Sequence, residues 1–416
     1  YPSAFKSFVS TNFTTRAVFL FILVNILIPS RLKVIKFMNK LKSLNRYIQK
    51  KFKIIFYTIF KLIYGSVRTS RHISKINDAK IFKCKIDGLF KYSIYFLKKV
   101  RLYTNRVHDM SVIKENVLIE GPSYQLRNIN SQKKGAMDNA RIEENDVLKY
   151  GTPRIKKKVR GTVLSLLSGG AANNNYFHWI YDVLPRLALC EKINFFDKID
   201  YFLLPNLELN FQKETLNLLN ISSKKLLNSK NYRHIYCDNL VVTDHPFIIN
   251  NNADIEIHNI PQWINKWLKK KFEFLLEKKT GYPKKIYIDR SDAKKDKSKY
   301  AREIINEEEI KFYLKNKDFS FIRLAELSFK EQINIFYNAD LIVGLHGSGF
   351  ANLSFCRPKT KIIEIKSDNA GKVLQNIALN SGLDCKELTY KPHNFDAQSQ
   401  QGKILVKLEH LKNIIN

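Results

Sequence analysis

The second half of the chain alternates between short apolar runs and segments with helical spacing. Runs that are typical of buried strands occur in KIYIDRS, FSFIRL, DLIV and KIIEI, at residues 285–291, 319–324, 340–343 and 361–365. Helices are predicted between them, because Ser328 with Glu331 forms a capping box, Asn306 with Glu309 resembles one, and Gly382 ends a helical segment. Strands that alternate with helices predict a parallel sheet covered by helices, which is the α/β fold class.

The first half carries the same signal less regularly. Strand-like runs begin near residue 116 and recur at 162–170, 200–205 and 234–246, and a long helix is predicted over 259–279. A chain of 416 residues exceeds the usual size of one domain. We therefore expect two α/β domains, over residues 110–255 and 256–416, after a leader over residues 1–109.

The leader is basic. Residues 1–77 contain fifteen Lys and Arg and no Asp or Glu. The apolar stretch at 17–29 is shorter than the roughly 20 residues that span a bilayer, whereas 50–65 mixes lysines with a broad apolar surface, as helices that lie on anionic membranes do. We expect a helical leader that binds an anionic membrane surface through residues 1–77. Ordinary packing of these helices on the protein is the alternative.

Charge and cysteine content bear on partners and compartment. The net charge of +33 fits an anionic partner, although a composition rich in Lys, Asn and Ile, as an AT-rich genome gives, accounts for part of it. No RNA- or DNA-binding module is recognisable, so nucleic acid is not the expected partner. Five cysteines without a C-x-x-C pair predict reduced thiols. We expect a cytoplasmic protein that is peripheral at, or anchored to, the membrane.

The segment GLHGSGFAN at 344–352 directly follows a predicted buried strand. Its three glycines permit positive φ and the close approach of a ligand to the backbone. A short helix predicted over 348–355 directs its N–H groups and positive dipole end to the same place, which suits a diphosphate. His346 could donate a hydrogen bond to a phosphate oxygen, because ligands of open α/β sheets bind at the carboxyl ends of strands. A tight strand–helix turn without a ligand is the alternative.

The segment HWIYDVLPRL at 178–187 predicts a helix with two faces. His178, Asp182 and Arg186 share one face, because residues four apart lie one turn above each other, and apolar side chains occupy the opposite face. A carboxylate beside an imidazole orients the ring and tunes its basicity, as general-base catalysis requires. The alternatives are an exposed polar face without a function and a His–Asp pair that only ties loops together.

Further polar residues stand at strand ends and helix starts. Arg290 follows a strand and Arg302 precedes a helix start, positions that suit phosphate or carboxylate recognition. Glu326 could accept hydrogen bonds from ribose hydroxyls, and Glu364, on an apolar strand, is expected to be buried against a partner. The sequence contains no D-x-D pair. We therefore expect no metal ion, and expect arginines with a helix N-terminus to neutralise a leaving diphosphate.

Four blocks in a specific order resemble the family 61 glycosyltransferases, the DUF563 group: NYFHWIYDVLPRL, YIDRS…AREIINEEE, LSFKEQINIFYNADLIVGLHGSGFANLSF and IIEI. The resemblance covers residues 110–410 and implies a GT-B fold, in which two Rossmann-like domains face a cleft. It also implies inverting transfer from a nucleotide sugar, in a family that includes capsular-polysaccharide enzymes. The positions that fall on family motifs are His178, Asp182, Arg290, Arg302, Asn306, Glu307, His346, Gly347, Gly349 and Asn352.

These observations predict an inverting glycosyltransferase that needs no cofactor and uses a UDP-linked sugar donor. The residues expected to bind the donor in the second domain are Arg290, Arg302, Asn306, Glu307, Glu326, His346, Gly347, Ser348, Gly349 and Asn352. The first domain is expected to present a glycan or lipid-linked acceptor of surface polysaccharide synthesis. Asp182 is the expected base, with His178 orienting or binding, and the reverse assignment is the alternative. A glycan-binding pseudoenzyme and a basic nucleic-acid-binding protein are the alternatives to an enzyme.

Overall fold

The computed structural model describes residues 49, 51–105, 109–125, 141–167, 174–250, 252–291, 302–393 and 401–415. The chain divides into two compact units: a leader unit, Tyr1–Gly65 with Tyr150–Pro153, and a main unit, Ser66–Lys149 with Arg154–Asn416. Most of the predicted basic leader, including the apolar stretch at 17–29, lies outside the described residues.

The described part of the leader unit is mainly a helix over residues 51–64. Large apolar side chains are exposed along it, since Phe52 is 69%, Ile63 60% and Leu62 82% exposed. The ring centroids of Tyr57 and Tyr150 lie 5.2 Å apart. A helix in this basic, apolar segment was predicted. No helix in the described part of the chain is both long enough and apolar enough to cross a bilayer.

The main unit begins with a mixed sheet of ten strands. They are β1 Thr69–His72, β2 Ala79–Ile86, β3 Phe90–Tyr103, β4 Asp109–Lys114, β5 Val117–Glu120, β6 Tyr124–Gln125, β7 Lys157–Ser165, β8 Tyr201–Leu204, β9 Leu226–Asn228 and β10 His234–Thr243. The order is β1-β5-β4-β3-β10-β7-β8-β9, with β2 paired to β3 and β6 to β4. The parallel half is β10-β7-β8-β9, and β3 runs antiparallel to β10.

This sheet differs from the sequence analysis in two ways. It begins at Thr69 rather than near residue 110, because β2 and β3 are strands inside the segment expected to be a helical leader. Lysines alternate with apolar residues along β2, which hides its strand pattern in a lysine-rich segment, whereas β3 is largely buried. The antiparallel half also makes this sheet mixed rather than simply Rossmann-like.

The second sheet of the main unit is entirely parallel. Its strands are β11 Lys285–Ile288, β13 Ser320–Ile322, β14 Leu341–Leu345, β15 Lys361–Ser367 and β16 Asp384–Tyr390, while β12 Glu303–Ile304 and β17 Lys403–Ile404 form a separate pair. The order is β13-β11-β14-β15-β16. From β11 the chain first adds β13 on one side and then β14 on the other, so the direction of winding reverses between β11 and β14. This confirms the predicted α/β alternation.

Helices cover both sheets. The α-helices of the main unit after residue 170 are Tyr176–His178, Pro185–Lys192, Asn210–Leu218, Ala253–Glu256, Gln262–Phe272, Glu307–Lys315, Phe329–Asn338, Val373–Asn380 and Leu408–Ile415; Trp179–Val183 is a π-helix and Ser348–Phe355 a 3-10 helix. One apolar core runs from the first sheet through these helices to the second sheet, and includes Leu164, Trp179, Ile264, Phe329 and Ile342. All five cysteines are unpaired thiols, as predicted.

Candidate active site

The winding reversal between β11 and β14 places two motifs side by side. Ile288, at the end of β11, pairs with Gly344 of β14, so Arg290 and the segment His346–Gly349 follow neighbouring strands at the same edge. Ligands of open α/β sheets bind at such a switch point, outside the carboxyl ends of the strands. The glycine motif and the arginine therefore meet where the topology favours a ligand.

The glycines of this motif allow close approach rather than an unusual backbone. None of Gly344, Gly347 and Gly349 lies in the left-handed region, since Gly347 is extended with a φ of 173°, so the conformation that favours glycine is not used here. A side chain at Gly347 would overlap the Arg290 guanidinium, and one at Gly349 would lie 2.5 Å from Leu324. The motif thus lets a guanidinium lie directly against the backbone.

Arg290 and Arg302 converge on one carbonyl. Their Nη1 atoms donate to the main-chain oxygen of His346, at 2.6 and 2.7 Å. Burial and the neighbouring Arg290 charge lower the pKa of Arg302 to about 10, which leaves it protonated at neutral pH. Its buried Nε has no hydrogen-bond partner in the described part of the chain. Two adjacent guanidinium groups favour an anion beside the glycine motif.

The His346 side chain turns into the sheet instead of toward a ligand. It is 3% exposed, and its Nδ1 bonds to Glu364 of β15, which is fully buried, as expected for an acid on an apolar strand. Lys366 lies 3.9 Å from the second Glu364 oxygen and 2.6 Å from Glu387. Because the His346 side chain is buried and bonded to Glu364, the structure does not support its predicted contact with a phosphate. The buried pair instead fixes the carbonyl that receives both arginines.

A cleft of about 950 Å³ opens beside Arg290 and the glycine motif. One wall comes from the second sheet and the other from the segments around Tyr176 and Phe211 of the first. Five predicted donor-binding residues line it, namely Arg290, Glu326, Gly347, Ser348 and Gly349. Ser348 is exposed at the start of the 3-10 helix, so its N–H end faces the cleft. The cleft holds phosphate-binding chemistry at one end and room for a sugar nucleotide.

Five predicted donor-binding residues do not line the cleft: Arg302 and His346, described above, and three more that have structural partners instead. Asn306 bonds to the main chain of Val406 in both directions, at 2.8 and 3.0 Å. It stands at the predicted helix start and donates to Glu309 at 2.8 Å, but its side chain caps no N–H group of the helix. Glu307 accepts from the hydroxyl of the buried Tyr287 at 2.8 Å. Asn352 is fully buried. These three residues therefore stabilise the loops and helices around the cleft instead of lining it.

His178 and Asp182 form the predicted pair. The His178 Nδ1 and the Asp182 Oδ2 are 2.9 Å apart, and Asp182 lies in a π-helical turn in which the Leu184 N–H bonds to the Trp179 carbonyl. The His178 side chain is 14% exposed and that of Asp182 2%. The alternative of an exposed polar face is therefore wrong, because Asp182 and Arg186 are buried.

The environment keeps Asp182 ionised. Although burial opposes its charge, His178 and His245 hold the pKa of Asp182 below its usual range. An ionised carboxylate only accepts hydrogen bonds, so the His178 Nδ1 must carry a proton, and a neutral imidazole of this tautomer has its lone pair on Nε2. That Nε2 has no hydrogen-bond partner among the described residues. The geometry suits an imidazole base oriented by a carboxylate.

His245 completes this cluster and was not predicted from the sequence. Its Nδ1 accepts from the N–H groups of Phe247 and Ile248, at 3.3 and 3.1 Å, so its Nε2 carries the proton and lies 3.7 Å from the Asp182 Oδ2. Burial lowers the pKa of His245 to about 4, which keeps it neutral. Its place just after the parallel strand β10 was the available signal, because such strand ends carry ligand-binding residues.

The two motifs meet through buried hydrogen bonds between helices. The Tyr176 hydroxyl donates to Asn352 at 2.6 Å, and Asn352 donates to Gln332 at 3.1 Å. Tyr181 and Ser354 bond at 2.5 Å. Glu214, on the helix Asn210–Leu218, accepts a hydrogen bond from the Phe329 N–H at 2.8 Å, beside the predicted capping box. The segments that carry His178 and the glycine motif are thus held in one arrangement.

Replacing Tyr176 with phenylalanine should destabilise the protein by about 1–3 kcal/mol, because the buried Asn352 oxygen loses its partner. Chemical denaturation monitored by circular dichroism measures the change. Tyr201→Phe is the matched control, since no described residue bonds to that half-buried hydroxyl. Equal free energies of unfolding for the two variants would contradict the structural role of the Tyr176–Asn352 bond.

The chain matches the family described as Glycosyltransferase 61 over residues 176–363. The matched segment contains the His178–Asp182 pair, the arginine pair and the glycine motif. No curated protein matches the chain. In the described part of the chain, no cluster of three or more His, Cys, Asp or Glu side chains is arranged to hold a metal ion. The family match supports an enzyme over the binding-protein alternatives.

Proposed function

From the premise that the chain is a glycosyltransferase with a family 61 domain, we propose that it uses a nucleotide-sugar donor whose diphosphate binds at the glycine motif. The observation that carries the proposal is the convergence of Arg290 and Arg302 on the His346 carbonyl, beside the exposed Ser348. A leaving diphosphate concentrates negative charge, and two prearranged guanidinium groups stabilise that charge as it develops. The pair needs no metal ion for this.

We assign the base to His178 rather than to Asp182. Asp182 is buried and its charge is compensated, whereas His178 is partly exposed and its Nε2 can accept a proton. The acceptor hydroxyl loses its proton to Nε2 as its oxygen attacks the anomeric carbon, and the bond to the diphosphate breaks on the opposite face. One base and one charge-stabilising site suffice for this single displacement, which inverts the anomeric configuration. We propose that the two sheets form a GT-B arrangement, in which the second binds the donor and the first carries the base.

Donor binding can be tested by thermal unfolding with UDP- and GDP-linked sugars, the free diphosphates and the monophosphates. A UDP-sugar at 100 times its Kd should stabilise the protein by about 2.7 kcal/mol. The monophosphate should stabilise less, because it lacks the group that faces the arginine pair. Equal stabilisation by UMP and UDP would contradict the diphosphate site, and stabilisation by none of them would remove the donor proposal.

We also propose that the helix over residues 51–64 binds an anionic membrane surface and brings the enzyme to a glycan or lipid-linked acceptor of surface polysaccharide synthesis. Phe52, Leu62 and Ile63 are more than half exposed, and lysines lie among them. Exposed apolar side chains with a basic flank insert into the interface of anionic lipid. We place the enzyme at the cytoplasmic face of the membrane, because its proposed donor is a nucleotide sugar.

The triple variant Phe52→Ser, Leu62→Ser, Ile63→Ser should bind vesicles of phosphatidylglycerol and phosphatidylcholine at least about 30-fold more weakly, since three buried apolar side chains contribute about 1 kcal/mol each or more. Cosedimentation measures it. The control is Phe274→Ser with Phe312→Ser, two exposed aromatics outside the helix. Unchanged binding of the triple variant, or equal binding of the parent to neutral vesicles, would contradict the membrane proposal.

A further inference from the structure

A second cavity, of about 540 Å³, lies beside His245. We name it the side cavity. It is bounded mainly by residues 120–124, 141–145 and 242–249, together with His72, Tyr95 and Met110. Its volume is within the range of small-molecule sites, about 300–1,000 Å³. His245 belongs both to its wall and to the Asp182 cluster, so the side cavity adjoins the carboxylate that orients the proposed base.

Four buried polar atoms without partners belong to the wall of the side cavity or to the Asp182 cluster. They are the Tyr124 hydroxyl, the Asp182 Oδ1, the Arg186 Nη2 and the His245 Nε2, none of which has a hydrogen-bond partner in the described part of the chain. Tyr124 and His245 line the cavity directly. Buried polar groups in native proteins are paired, so four such atoms in one place indicate a hydroxyl-rich ligand.

The described lining of the side cavity is opposite in charge to the chain. It contains three carboxylates, Glu120 and Glu143 exposed at the rim and Asp244 deeper, and one guanidinium, that of Arg141. That arginine lies 3.6 Å from Glu144. None of the described lining residues is a lysine. In a protein with a net charge of +33, an acidic cavity disfavours carboxylate- or phosphate-bearing ligands and favours neutral or cationic ones.

We propose that the side cavity is the acceptor subsite, and that it selects a neutral or amino-bearing sugar against an anionic one. This rests on the proposed function, because a transferase must hold an acceptor hydroxyl within reach of its base. The acidic rim holds the acceptor while the arginine pair attracts the diphosphate, so the two substrates are separated by charge as well as by position.

The test measures the binding of three probes without a donor, by saturation-transfer NMR titration: the 4-nitrophenyl glycosides of glucose, glucosamine and glucuronic acid. The parent should bind the glucosaminide and the glucoside at least about tenfold more tightly than the glucuronide. Glu120→Lys with Glu143→Lys should reverse that order. The matched control, Glu273→Lys with Glu308→Lys, changes the net charge equally at exposed positions outside both cavities and should retain it.

A second variant tests the location. Ile249 lines the side cavity and is 43% exposed, so Ile249→Trp should weaken glycoside binding at least about tenfold by filling the space. Ile255→Trp, at a 58% exposed position outside the cavity, is the control. Undiminished binding by Ile249→Trp, a parent preference for the glucuronide, or no binding of any probe would overturn the proposal. Glycoside binding as predicted, without turnover of any nucleotide sugar, would instead overturn the proposed function alone.

Discussion

Replacing His178 with alanine should lower the rate of sugar transfer by about 10²–10⁴-fold, the usual contribution of a general base. The partly exposed ring is the only member of the described pair that can reach a substrate, since Asp182 is buried. Initial-rate kinetics with a saturating donor measure the loss. Donor-induced thermal stabilisation should persist in the variant, because the arginine pair is intact.

Two further variants sharpen this prediction. Asp182→Asn should lose at least about tenfold in turnover, because the amide no longer fixes the Nδ1–H form of His178. His393→Ala, at an exposed position outside both cavities, should transfer at the parent rate. If Asp182→Asn folds and binds donor but loses far more activity than His178→Ala, then Asp182 is the base and the assignment must be reversed.

Replacing Arg302 with alanine should weaken donor binding by about 10–100-fold, because one charge-assisted hydrogen bond to the diphosphate is worth about 1.5–3 kcal/mol. The Arg290→Ala variant should behave alike, and both changes together should abolish measurable binding. Titration calorimetry with the donor and with UDP measures the loss of affinity. The affinities for the two ligands should fall by the same factor.

Folding stability separates this role from a structural one. Arg302 lies beside Arg290, so its removal relieves the repulsion of two like charges while it deletes one bond to the His346 carbonyl. We therefore expect a small change in the free energy of unfolding together with a large loss of affinity. Arg160→Ala, at an exposed position on β7, is the control. A variant that unfolds easily yet binds UDP normally would contradict the diphosphate site.

Much of the second sheet could be predicted from the sequence. The strands β11, β14 and β15, the helix Phe329–Asn338 and its capping box follow from local patterns that agree with one another. The burial of Glu364 followed from its place on an apolar strand. The reversal of winding that brings Arg290 beside the glycine motif could not be predicted, because strand order depends on tertiary packing rather than on local periodicity.

The His178–Asp182 helix shows the limit of a helical pattern. Residue spacing correctly predicted that His178, Asp182 and Arg186 share one face. It could not predict that the end of β10 and the segment after it bury most of this face. Arg186 donates to the Thr243 carbonyl at 3.2 Å, a contact between residues far apart in the sequence. The assignment of the base changes with that burial, from the carboxylate to the imidazole.

The most direct test of the central claim follows the release of nucleoside diphosphate and the formation of glycoside in one reaction, by NMR. The parent enzyme with a UDP-sugar and a neutral aryl glycoside should release one UDP per glycosidic bond, and the anomeric proton coupling of the product should show inversion. The His178→Ala variant should bind the donor but form product about 10²–10⁴-fold more slowly. Product with retained configuration, or undiminished transfer by His178→Ala, would contradict the account.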